Sequence, residues 1–194
     1  MLHIEIGLLG TTAMLHNNDQ MADPDHPLSV ELAKISSKAK KTPADREQMA
    51  HIQWNGGLYL DPDIDGPCVP ANNVRKMLID TAKQTKNGKD VARALAMTEI
   101  NVPVEYDGPR DITQMEKLPQ YGEYRTVGIQ GRRVMKMRPR FPVPWTVTVN
   151  AVLMEDILDF ERVTHLVEKA GFIEGFCDGR IIGFGRFKGT VKKA

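Results

Sequence analysis

The chain has 194 residues, 41% of them hydrophobic and 26% charged, with a formal net charge of +1. That balance excludes a globally disordered chain, and no apolar run approaches the roughly 18 residues of a membrane-spanning helix. Two cysteines, Cys68 and Cys177, fit no metal or redox spacing and no disulfide framework, so a reducing, cytoplasmic setting is expected.

In chain order, Leu2 to Leu9 alternate with period two and predict a strand. The N-terminus carries no basic region before an apolar run, so no signal peptide is expected. Asn17 to Pro27 is polar and reads as a loop. A helix is expected over roughly 28–40. A second begins at Thr42 as N-cap with Pro43 at the first helical position and reaches about Ile52. These two helices form an insertion at about 17–56. Gly56 to Leu60 suggest a short strand, and the Asp- and Pro-rich 61–67 a loop. A helix capped by Asn72 or Asn73 follows, with Val74, Met77, Leu78 and Ala82 on one face and Gly88 as its stop. A shorter helix at 90–97 precedes a strand at 100–106, which Pro103 places at an edge. Residues 107–120 read as irregular. Residues 125–130 and 133–138 flank Gly131 as a hairpin. Residues 145–153 are the clearest strand and 155–170 the clearest helix, with Gly171 as its cap. A glycine-rich loop and a strand at 181–187 close the chain.

The elements predict a single α+β domain. Residues 1–70 hold five Lys/Arg against ten Asp/Glu, and the remainder holds 21 against 15, so a basic working face is sought in the later part. Asp61, Asp63, Asp65 and Gly66 match half of a calcium loop, but Asn72 stands where the closing carboxylate belongs. The five histidines show no zinc spacing, and neither a nucleophile elbow nor a phosphate loop occurs, so no cofactor and no metal are expected. From Arg125 to Arg140 six cations occur without an acid. They are Arg125, Arg132, Arg133, Lys136, Arg138 and Arg140. On a strand, Lys136, Arg138 and Arg140 share a face at about 6.5–7 Å spacing, close to a phosphate repeat. Tyr121, Tyr124 and Phe141 flank them as stacking faces.

Three segments, taken together, resemble the RAMP superfamily of CRISPR proteins, in the branch of effector backbone subunits. They are Ile4 to Ala13, Pro67 to Leu78 and Gly179 to Phe187. Ala71 and Asn72 stand where that superfamily prefers Gly-Ser. The resemblance implies a ferredoxin-like, modified RNA-recognition fold built from both chain ends, which contacts RNA or another single strand through the strand's backbone. It nominates Asn72, Asn73, Arg75, Lys76, Arg180 and Arg186 beside the hairpin cations. Physics supports such positions independently, because helix N-termini offer free N–H groups to phosphate and glycine admits close approach.

Three functions remain open on these residues. The first is noncatalytic binding of RNA or single-stranded nucleic acid with self-association. The second is a phage-encoded assembly or inhibitor module. The third is a metal-dependent ribonuclease using Asp23, Asp25 or the Asp61 to Asp65 run.

Overall fold

The structure is a computed structural model that describes every residue except Gln130, and Ile129 and Arg132 by backbone alone. In chain order it contains β1 (Leu2–Gly10), β2 (Met14–Leu15), α1 (Pro27–Ser36), α2 (Pro43–Gly57), β3 (Cys68–Pro70), α3 (Ala71–Lys83), α4 (Gly88–Ala94) and β4 (Leu95–Met97). There follow β5 (Asn101–Pro103), β6 (Glu105–Tyr106), α5 (Ile112–Glu116), β7 (Gly122–Ile129), β8 (Arg132–Phe141), β9 (Trp145–Leu153), α6 (Phe160–Ile173) and β10 (Phe187–Lys193).

The main sheet has the order β10-β1-β9-β4, antiparallel throughout. Read along the chain, β1, α3, β4, β9, α6 and β10 make the β-α-β-β-α-β succession of a ferredoxin-like fold. The expected α+β class and antiparallel sheet are therefore found. The reason lies in the alternation of β1 and β9. Ile4, Ile6 and Leu8 are buried opposite Ala151, Val149 and Val147. The apolar stripes of α3 (Val74, Met77, Leu78) and α6 (Val163, Val167, Ala170) join them in one core. The other face carries Glu5, Gly7, Thr148, Asn150, Thr190 and Lys192, with His3 near the start of β1.

Between β1 and α3 the chain makes the helices α1 and α2. Thr42 and Asp45 close a capping box at the start of α2, as the Thr-Pro signal predicts. Helix α2 runs on through Gly56 and Gly57, so no strand forms there beyond a single bridge from Leu60 to Pro67. Helix α3 starts at Ala71 after Pro70, and neither Asn72 nor Asn73 caps it. It ends at Lys83, and Gly88 opens α4. Leu95 to Met97, expected as helix, form β4, because pairing with Leu153 to Ala151 of β9 outweighs helix propensity. The strand expected at 100–106 divides at Val104: β5 pairs with β3 and β6 with β9. Within the irregular 107–120, Asp111 caps the short α5.

Glycines explain two further differences. Gly171 is not a cap but a helical residue, because α6 lies so close to β10 that a Cβ there would sit 2.2 Å from the Phe187 carbonyl oxygen. The expected strand at 181–187 is instead a turn, since Gly179, Gly183 and Gly185 all have positive φ. The strand begins only at Phe187.

Gly171→Ala is expected to lose about 1–3 kcal/mol by overpacking α6 against β10. Gly128→Ala, whose Cβ would meet nothing within 4 Å, should change stability by less than about 0.5 kcal/mol. Urea unfolding of both variants measures the contrast.

Candidate nucleic-acid interface

The β7–β8 hairpin is tied to the body at its base. Met14 and Leu15 pair with Phe141 and Arg140, the Trp54 indole donates to the Tyr121 carbonyl at 2.8 Å, and the Met137 N–H donates to Gln53 at 2.9 Å. The terminal glycine loop meets the same base. The Arg125 guanidinium lies 4.4 Å from the centre of the Phe184 ring, and Arg138 pairs with Asp178 at 2.9 Å.

The basic run is thus less bare than its sequence implies. Glu123, just upstream, stands across from Arg138 in the ladder and pairs with Arg125 at 3.1 Å and Arg140 at 3.5 Å. Arg138 is only 8% exposed. Lys136, Arg138 and Arg140 do share a strand face by alternation, but Arg138 is buried between two half-buried neighbours. Burial, and then the charge of Arg138, push the Lys136 ammonium below its ordinary range, while Asp178 opposes this. Arg133 is exposed, and the Arg132 side chain lies outside the described residues. Tyr124 is exposed enough to stack, whereas Tyr121 and Phe141 are buried in the core.

At the helix entry, Asn72 is exposed and Asn73 half-buried. Arg75 turns inward and donates to the carbonyls of Leu95 and Ala92, satisfying the end of α4. Lys76 is exposed and pairs with Asp80 at 2.5 Å. In the glycine loop Arg180 pairs with Glu174 at 2.9 Å, and Arg186 donates to the carbonyls of Ile173 and Arg180. Only glycine fits at Gly185, where a Cβ would lie 2.0 Å from the Phe176 carbonyl oxygen.

These pieces line one cavity of about 210 Å³, formed by Asn17, Tyr59, Asn73, Lys76, Asp178 and Arg180. It joins the helix entry to the glycine loop, a hundred residues on. Burial pushes the Tyr59 phenol up to about 12, so it stays a neutral donor, bonded to the Asn17 carbonyl. A larger groove of about 730 Å³ lies on the other side of the hairpin, by His51, Trp54, Tyr124 and Met137. Glu47 and Glu116 line it and no Lys or Arg does, so it does not suit phosphate.

Two of the acidic candidates, Asp23 and Asp61, hold local structure. Asp23 accepts the Asp25 N–H in an exposed turn, and Asp61 accepts from Asn101 and the Asp63 N–H. Among the described residues no group of three or more His, Cys, Asp or Glu has metal-holding geometry, and no helix is long and apolar enough to cross a membrane.

Sequence reasoning missed Glu123, Asp178, Tyr59 and His16. Extending the hairpin alternation by two residues would have placed Glu123 opposite Arg138. The others meet the site only through tertiary contact. His16 is fully buried against Phe141 (4.4 Å) and Tyr59 (5.3 Å), and neither ring nitrogen has a hydrogen-bond partner among the described residues.

The chain is thus a ferredoxin-like protein with a basic hairpin and a glycine-rich terminal loop. Its fold is similar to that of a chain in the type III-B Cmr-β complex solved with cognate target RNA, with TM-score 0.49 and 10% identity over 99% of this chain. This chain spans 61% of the length of that one. It is also similar to Cmr4, with TM-score 0.46 and 7% identity over 99% of each chain. No family model and no curated protein sequence matches.

Burial pushes the His16 imidazole down from 6.5 to about 3. The unfolded chain then binds the extra proton between those values, so stability is complete above about pH 6.5 and falls as pH drops toward 3. Between pH 6.5 and 4 this one group should remove about 3 kcal/mol. Urea unfolding across that range should show a shallower slope in His16→Phe than in wild type.

Proposed function

We propose that this chain binds a single strand of RNA, or of nucleic acid generally, along its phosphate backbone without cleaving it, and that copies stand in a row on the strand. The observation that supports this most directly is the shared cavity of Asn73 and Lys76 with Asp178 and Arg180. Two segments that could each offer backbone N–H groups and cations to phosphate meet there, beside the hairpin. Lys136 and Arg140 continue the basic path along β8, while Arg133 and the exposed Tyr124 alternate onto the opposite face of the hairpin. Asn72 and Arg186 belong to the same two segments, the helix entry and the glycine loop. Arg75 and Arg138 support the path from beneath, because their donors are engaged by α4 carbonyls and by Asp178.

The open sheet face is a poor alternative. Apart from His3 at one end of β1, its strands present Thr, Asn, Glu, Lys, Gly and aliphatic side chains, so bases find little to stack on. The Cmr-β structure is the one bound to target RNA; for this chain the support is its own geometry. Self-association draws on the acidic first third and the basic remainder, which are complementary head to tail.

Fluorescence anisotropy with a labelled single-stranded RNA, titrated at rising salt, tests the proposal. Affinity should fall steeply with salt. The double variant Lys76→Glu, Lys136→Glu should bind about tenfold or more weakly, and its salt slope should drop by about one for each phosphate no longer neutralised. Arg75→Ala should lower thermal stability and leave the slope unchanged. Absence of binding at low salt, or binding indifferent to salt, would sink the proposal.

A further inference from the structure

Strand β10 is an edge of the main sheet, and among the described residues it pairs with β1 alone. The ladder shows which of its backbone groups are committed. The Ala194 N–H donates to the His3 carbonyl, and the Thr11 N–H to that of Arg186. Hydrogen-bonded pairs in an antiparallel ladder recur at every second residue, so Lys188, Thr190 and Lys192 turn their N–H and C=O groups to β1. Phe187, Gly189 and Val191 turn theirs the other way, along the free edge. Such an edge is a template for a further strand.

A groove of about 650 Å³ opens where this edge meets α6. Phe187 and Gly189 line it from β10, and Glu168, Gly171 and Phe172 from α6. Gly189 lets the helix come close, since a Cβ there would lie 2.5 Å from Val167 Cγ1. Phe172 is 85% exposed, so a large ring stands at the groove without cover. Extended peptides add to free edges of this kind, with main-chain bonds giving affinity and alternate side chains giving specificity.

The two faces of the edge specify what would be added. Side chains alternate along a strand. On the open sheet face lie Lys188, Thr190 and Lys192, all exposed. Lys192 leans on Glu5 at 3.7 Å, an exposed pair weak enough to be shared. On the α6 face stands the Phe172 ring. Around the groove Arg186 and Lys188 outnumber the one acid, Glu168. An added strand would therefore set acidic side chains beside the lysines and apolar ones against Phe172. A second copy's β10 is the wrong occupant, because lysines would face lysines.

We propose that the free edge of β10, with the groove it shares with α6, takes up an extended segment of a partner protein in which acidic residues alternate with apolar ones, as an added strand. This goes beyond the nucleic-acid reading and does not rest on it. Lys188, Lys192 and Phe172 take no part in the basic path.

The probe is a fluorescein-labelled peptide, Glu-Val-Glu-Val-Glu-Val-Glu, matched to the seven residues of β10 and followed by anisotropy with the full chain. It should bind saturably, and the same peptide with Lys for Glu should not. N-methylation of alternate peptide amides should abolish binding in one set and spare it in the other, because one edge of an added strand is bonded and the other is free. The double variant Lys188→Glu, Lys192→Glu should bind the acidic peptide about tenfold or more weakly and take up the Lys peptide instead. Phe172→Ala should weaken binding several-fold. Circular dichroism and a melt confirm that these exposed-site variants fold. No saturable binding, equal binding of both peptides, or equal effects of the two methylated sets overturns the proposal. Should the chain self-associate and Phe172→Glu disperse it, the edge serves a second copy and the proposal is wrong. RNA affinity measured on the same proteins reports on the other reading separately.

Discussion

Everything in this molecule depends on β1 being hydrogen-bonded along both edges. On one side Leu2 to Leu9 pair with Leu153 to Thr146, and on the other Ile4 to Gly10 pair with Lys193 to Phe187. The first strand is therefore central in the sheet, and the last strand can close the fold only by lying beside it. Both chain ends are fixed by a single ladder, with Ile4, Ile6 and Leu8 committed to the core face. A slip of one residue would turn those three to solvent and Glu5 inward, so the register is strongly specified.

The candidate site follows from that ladder. The residues just beyond β1 must lie beside those just before β10. Accordingly the Thr11 and Thr12 N–H groups donate to the Arg186 carbonyl, and Leu15 bridges to Asp178. The glycine loop is thereby pressed against the base of the hairpin and the N-terminus of α3. Its positive-φ glycines allow the backbone to turn there and to approach Phe176 closely, which no other residue could do at Gly185.

The cations divide by what surrounds them. Arg75 and Arg138 are inward groups whose charges are answered by carbonyls or by Asp178. Their removal would leave polar groups unsatisfied and act on stability. Arg133, Lys76 and Lys136 keep their charged ends toward solvent to differing degrees, and exposed ion pairs such as Lys76 with Asp80 are weak enough to exchange for phosphate. Counting basic residues in the sequence treats these two groups alike.

Taken alone, the sequence determined the elements whose periodicity is strong. The alternation of β1, β7, β8 and β9, the apolar stripes of α3 and α6, and the Thr42–Pro43 start of α2 are local patterns, and each appears close to its expected place. It also carried the order of segments that resembles the RAMP superfamily, and the ferredoxin-like core from both chain ends. Only tertiary structure decided what depends on partners far along the chain. Leu95 to Met97 became a strand because β9 offered an open edge. Gly171 stayed helical because β10 lies against it. Arg138 became a buried ion pair because the β1–β10 ladder delivers Asp178 to it. Periodicity records which face a residue shows, but not what will be waiting on that face, and charge and glycine take their meaning from the latter.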